Sequence, residues 1–243
     1  MVLGSLGLLV SAYEVVIAAL PRQFTAEERQ QIVAWEISGR WRDMAAGKIF
    51  PASVGYSLPP TVIQDDPSLE LQAMRVAIAP AATCGIVAVT DTTAADVLRR
   101  DGCEAILRAT YVDQTSSFVV TVGIAVLPTA AAATAASGDL SVPSLAAERE
   151  TSQLPPGVRT IHFTGPASSL YDYSRQLSAT LTAGPYLVMY AAGYTDGRPQ
   201  VRLARDSYSQ AEMTSMAQGV AGSVASGLGG QPAEPHCPGS PGC

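Results

Sequence analysis

The sequence predicts an α+β fold, a mostly antiparallel sheet packed with helices and preceded by an N-terminal hydrophobic helix. Three observations carry that expectation. Apolar residues recur at helical spacing after Thr25 and again after Ser209, and β-branched runs fill 104–127 and 176–194. Short polar links join those runs as hairpins do, which favours neighbouring antiparallel strands over crossovers.

The N-terminal segment comes first. Val2 to Leu20 contains no lysine or arginine and one charge, Glu14, before the chain turns polar at Pro21-Arg22-Gln23. An apolar run of about 18 residues or more can cross a bilayer as a helix. Glu14 costs about 2.5–3.5 kcal/mol at mid-membrane, which the surrounding leucines and valines offset. A cleaved signal needs a basic start and a small-residue cleavage site, and Ala18-Ala19-Leu20-Pro21 is a poor one. Residues 1–21 are therefore expected to be an uncleaved membrane anchor or signal-like helix. The absent basic flank also raises the expectation that translation starts upstream of Met1. A buried core helix is the alternative.

Residues 22–228 are expected to form one extracytoplasmic domain, and 229–243 a flexible Pro/Gly-rich tail. The chain of 243 residues carries a net charge of −6 with a pI near 4.9. Its fourteen arginines and single lysine, Lys48, are scattered. That distribution argues against nucleic acid, which needs a clustered positive footprint. The expected localisation is the cell membrane, single-pass, with everything after Pro21 outside, or else secretion.

Four cysteines in an exported chain read as two disulfides with three connectivities. Cys84–Cys103 would close a loop of about twenty residues, and Cys237–Cys243 a small ring of turn formers. Zinc is disfavoured, because Cys84 and Cys103 lack CxxC partners and Cys-x5-Cys beside His236 is not a usual ligand spacing. No metal or cofactor is expected.

Along the chain, Thr25-Ala-Glu-Glu28 reads as a capping box opening a helix to about Met44, with Val33, Ile37, Trp41 and Met44 on its stripe. Trp35 lies off that stripe and points either to a partner or to a second packed face. Prolines make 47–69 extended and turn-rich. A strand follows over 71–79, with Met74, Val76 and Ile78 as its expected buried face. Thr93 caps a short helix, Ala94 to Arg100, ended by Gly102. A hairpin then joins Glu104–Asp113 to Phe118–Leu127 through four polar residues, its second arm apolar on both faces as a central strand would be. A brief alanine-rich helix is expected over 129–137 and a loop over 138–157. Strands are expected at 158–164, 176–183 and 186–194. Ser209-Gln-Ala-Glu212 reads as a second capping box, opening a helix with Met213, Met216, Val220 and Val224 on one stripe and Gly219, Gly222 and Ser223 on a close-packing face.

Chemistry is sparse. His162 sits in an expected strand and His236 in the tail, and no nucleophile, phosphate-loop or dinucleotide signature is present. Asp65-Asp66 lies in a proline turn, where carboxylates cap amides. No catalytic residue is expected. The candidate binding constellation is Tyr171, Asp172, Tyr173 and Arg175 preceding one strand, with Tyr186, Tyr190 and Tyr194 on one face of its partner. Such a row either stacks against a glycan, peptide or protein surface, or lies half-buried beneath a helix.

The stretches Ala34-Trp-Glu36 to Arg40-Trp-Arg42, Lys48-Ile-Phe-Pro51, Ala109-Thr-Tyr111 to Thr121–Pro128, Pro185–Tyr194 and Pro235–Cys243 resemble a family of uncharacterised membrane-anchored or exported proteins of high-GC actinobacteria. The resemblance spans most of the chain beyond the anchor and implies localisation, with no established activity to carry over. The expected function is thus a membrane-tethered, non-enzymatic binding or scaffold protein of the cell envelope, with an envelope protein or glycan as partner. An envelope hydrolase using an unrecognised carboxylate pair, or a small-ligand carrier, is the alternative.

Overall fold

The computed structural model describes residues 24–60, 70–90, 92–141, 157–161, 172–200 and 208–232. The expected anchor, Asp65-Asp66, both histidines and Cys237–Cys243 lie outside them. Among the described residues, no helix is long and apolar enough to cross a membrane. The chain divides into two compact units, Ile37–Gln231 and a smaller one of Met1–Glu36 with Pro232–Cys243, of which only 24–36 and 232 are described.

Helix α1, Ala26–Asp43, opens on the expected capping box. Glu28 N donates to Thr25 Oγ1 at 3.2 Å and Thr25 N returns a bond to Glu28 Oε2 at 2.9 Å. One turn, α2 (Ala46–Ile49), leads into β1 (Ser53–Ser57). The sequence reading has no strand here. Only Val54 and Tyr56 alternate as apolar residues around Gly55, too few to stand out from the flanking prolines.

β2 (Glu70–Ala82), β3 (Ala105–Asp113) and β4 (Phe118–Val126) follow, with α3 (Thr92–Arg100) before β3 and α4 (Ala130–Ser141) after β4. β5 (Leu177–Ala183), β6 (Tyr186–Tyr194) and α5 (Tyr208–Gly229) complete the fold. All pairings are antiparallel, in the order β1-β2-β3-β4-β6-β5, and the sheet is curled. β4 and β6 are buried along their whole lengths, as an arm apolar on both faces requires.

One face of the sheet carries Ile106, Ala125, Leu187 and Met189 against α3 and α4, in a core that includes Leu98 and Ala133. The other face carries Val122, Val188 and Tyr190. It lies against α5, whose stripe Met213, Met216, Val220 and Val224 is at most 1% exposed. Each such side chain removed from water contributes about 1.5–3 kcal/mol.

The hairpin link is held by Asp113, whose carboxylate accepts from Thr115 N at 2.8 Å and Phe118 N at 2.6 Å. The expected disulfide between Cys84 and Cys103 is present, Cα–Cα 5.9 Å. It ties the segment after β2 to the end of α3.

Four local expectations are corrected. Met74, Val76 and Ile78 are exposed, at 46%, 46% and 37%, while Ala73 is buried. A β-bulge leaves Val76 unpaired: Arg75 faces Tyr111 and Ala77 faces Thr110, so Met74 and Ile78 fall on opposite faces. α4 runs on to Ser141 instead of ending near Ser137, its start capped by Thr129 Oγ1 accepting from Ala132 N at 3.1 Å. Val158 forms an isolated bridge to Val89 in place of the start of a strand. The Ser209 capping box does not form, because α5 already begins at Tyr208 and Glu212 meets the Tyr56 hydroxyl, 3.4 Å away.

Candidate functional site

The tyrosine row of β6 exists, but it is a core row. Tyr186, Tyr190 and Tyr194 share one face and are only 0%, 6% and 9% exposed. Burial raises the Tyr186 and Tyr190 hydroxyls above the ordinary tyrosine value; for Tyr190 a hydrogen bond to Gln218 of α5 partly offsets this. Tyr194 packs on Phe118, ring centroids 5.6 Å apart, with the Arg198 guanidinium 4.3 Å above its ring. None of the three offers an open stacking surface.

Asp172 and Arg175 belong elsewhere. Tyr171 and the Tyr173 side chain lie outside the described residues. Asp172 Oδ1 accepts from Thr160 N at 3.1 Å and Thr160 Oγ1 at 3.4 Å, and its Oδ2 stands 3.3 Å from Arg159 Nε. Arg175 Nε donates to the Asp172 carbonyl at 2.7 Å. These bonds pin the segment 157–161 over the α3/α4 face, where Val158 sits on Gly123; a Cβ at Gly123 would lie 2.5 Å from Val158 Cγ2. The two halves of the predicted constellation are therefore on opposite sides of the sheet.

What this segment builds is a groove of about 400 Å³ lined by Ile86, Val87, Arg108, Arg159, Thr160 and Ile161. Arg108 stands at the middle of β3, opposite Gly123, on the same face as Ile106. Its Nη1 donates to the carbonyls of Arg159 at 3.2 Å and Val87 at 3.5 Å, and its Nε is buried with no hydrogen-bond partner. Arg159 Nε is buried and likewise makes no aligned hydrogen bond, despite its nearness to Asp172. Burial foremost, and then the neighbouring Arg159, lower the Arg108 guanidinium from its ordinary value, with Asp172 acting against both. Ile86 and Val87, 44% and 64% exposed, form an apolar wall. The available sequence signal was an arginine at an inward position of an otherwise apolar strand. It was missed because nothing local pairs it with Arg159, 51 residues on.

A second groove, about 370 Å³, lies on the other side by Trp41, Ile49, Phe50, Ile78 and Leu107, with the Trp41 Nε1 buried and lacking a partner.

Glu212, 8% exposed, is raised above the ordinary glutamate value chiefly by burial and next by Asp113, while its bond to Tyr56 acts the other way. Asp113 is 3% exposed and spent on the hairpin link. Neither lines either groove. Among the described residues, no group of three or more His, Cys, Asp or Glu is placed to hold a metal. Comparison with protein families, with curated proteins and with solved structures finds no match.

Proposed function

We propose that the protein is a non-enzymatic binding domain of the cell envelope, working on the extracytoplasmic side and tethered through its apolar N-terminal segment. The observation that supports this most is the Cys84–Cys103 disulfide, because such cross-links persist in oxidising compartments and are rare in the cytosol. The resemblance to exported actinobacterial proteins points the same way. The binding part of the reading draws on the arginine groove, a concave site with apolar walls and donors lacking acceptors. A hydrolase would instead need two carboxylates facing across a cleft, about 5–10 Å apart. Among the described residues, Glu212 feels the charge of Asp113, and both carboxylates are buried instead of facing across a cleft.

The test is made in native envelopes. Crosslinking should recover a specific partner or glycan with the tethered protein, and Cys84 and Cys103 should resist alkylation until reduced. Free thiols in the native protein would overturn the compartment, and recovery of no specific partner would count against the binding role.

A further inference from the structure

The groove between Arg108 and Arg159 assembles what an anion site needs. Arg108 and Arg159 are neighbours in the groove, and Asp172 pairs with Arg159 and acts on Arg108 only through its charge, so among the described residues these two guanidinium groups face one carboxylate. A guanidinium presents five donors in a fixed fork suited to carboxylate and phosphate oxygens. Here the Nε donors of Arg108 and Arg159 have no aligned acceptor although both are buried. With 38% of its side chain exposed, Arg159 can meet an incoming oxyanion, and charge-assisted hydrogen bonds of this kind are the strong ones. Ile86, Val87 and Ile161 supply an apolar wall beside the charged floor. The volume, about 400 Å³, suits a small organic molecule and not a polymer.

We propose that this groove binds a small organic oxyanion, its carboxylate or phosphate held by Arg108 and Arg159 and its apolar body laid along Ile86, Val87 and Ile161. The assignment rests on the binding-domain reading and narrows it to one site and one ligand class.

The probe is phenyl phosphate, titrated calorimetrically into the full chain held in phosphatidylcholine nanodiscs, with benzoate, inorganic phosphate and phenol as comparisons. Phenyl phosphate and benzoate should both bind, phenol at least about tenfold more weakly, and added salt should weaken the anions several-fold. Inorganic phosphate should fall below phenyl phosphate, because it leaves the apolar wall unused. Arg159→Gln should weaken phenyl phosphate by about tenfold or more, the loss of one charge-assisted contact. Arg108→Gln should do the same, with circular dichroism reporting whether β3 is kept. Arg159 is the decisive position if Arg108→Gln unfolds, since its side chain is 38% exposed. Nanodiscs containing phosphatidic acid separate a lipid source from a free one: competition by that lipid assigns the oxyanion to a headgroup, and its absence to a soluble ligand. No binding of phenyl phosphate, or undiminished binding by folded Arg159→Gln, overturns the proposal. Should that happen while crosslinking still recovers a specific partner, the binding-domain reading stands and only this site is lost.

Discussion

Tyr186 shows how a single hydroxyl shapes the larger unit. It donates to the Ile37 carbonyl and accepts from Trp41 N at 3.3 Å. Those are the i and i+4 groups that an α-helix pairs with each other. The hydroxyl thus fastens this turn of α1 to β6. Tyr186→Phe should cost about 0.5–1.5 kcal/mol in denaturant unfolding, the net worth of a hydrogen bond, because the tie between α1 and β6 is lost while the two helix groups can pair with each other. Glu212 gives a pH signature at the same scale. Its folded value is raised, so the fold favours the protonated acid. The stability that Glu212 contributes should be fully present below the ordinary value of 4.5 and be lost as pH rises from there through the raised value. Glu212→Gln should flatten that decline and stabilise the protein at pH 7 by about 1 kcal/mol, measured by denaturant unfolding across pH. Its amide oxygen still accepts from Tyr56.

The elements show where the sequence could be read and where it could not. The apolar stripe of α5 and the hairpin of β3 and β4 were legible, because each rests on a period maintained over many residues. β2 misled because the alternation rule assumes an unbroken pleat, and the bulge at Val76 resets it. That bulge, with Pro80 beyond it, also blunts the sheet where β1 stops covering β2. The small face of α5 was expected and is in part observed. A Cβ on Gly219 would lie 2.9 Å from Tyr56 Cβ, and one on Gly229 2.7 Å from Ala183 Cβ, whereas Gly222 has open space. Gly219→Ala should therefore destabilise by about 1–3 kcal/mol and Gly222→Ala should not, a contrast readable in thermal melts. Arg40 of α1 closes the other end of this helix, donating to the carbonyls of Leu228 at 2.8 Å and Gly230 at 2.6 Å. The tyrosine row was legible as a row, but its burial was not, since the helix that covers it starts fourteen residues after its last member.

At the scale of the whole molecule, the disulfide was legible from loop length and compartment, and the arginine groove was not, because it joins residues from three separate segments. Replacing Cys84 and Cys103 by serine should lower stability by about 3 kcal/mol, the chain-entropy value for a loop of this size, with the same loss seen when the wild type is reduced. The curl of the sheet has a geometric reading. Laid flat, six strands would hold β1 and β5 about 24 Å apart, at about 4.8 Å per spacing. The stretch of α5 from Gly219, on β1, to Gly229, on β5, is only about 15 Å long at 1.5 Å per residue. The sheet wraps around the helix, and one helix touches both edges.

That arrangement imposes an order of events on a chain made from its N-terminus. Among the described elements, the helix that fills the hollow of the sheet comes last in chain order, and one of its supports, β1, comes among the first. Until Gly229 has emerged, the inner face of β4 and β6 lacks its full cover, and only the core on the α3 and α4 side can be complete. Closure of this side of the fold therefore waits for α5, long after the strands it joins have been made.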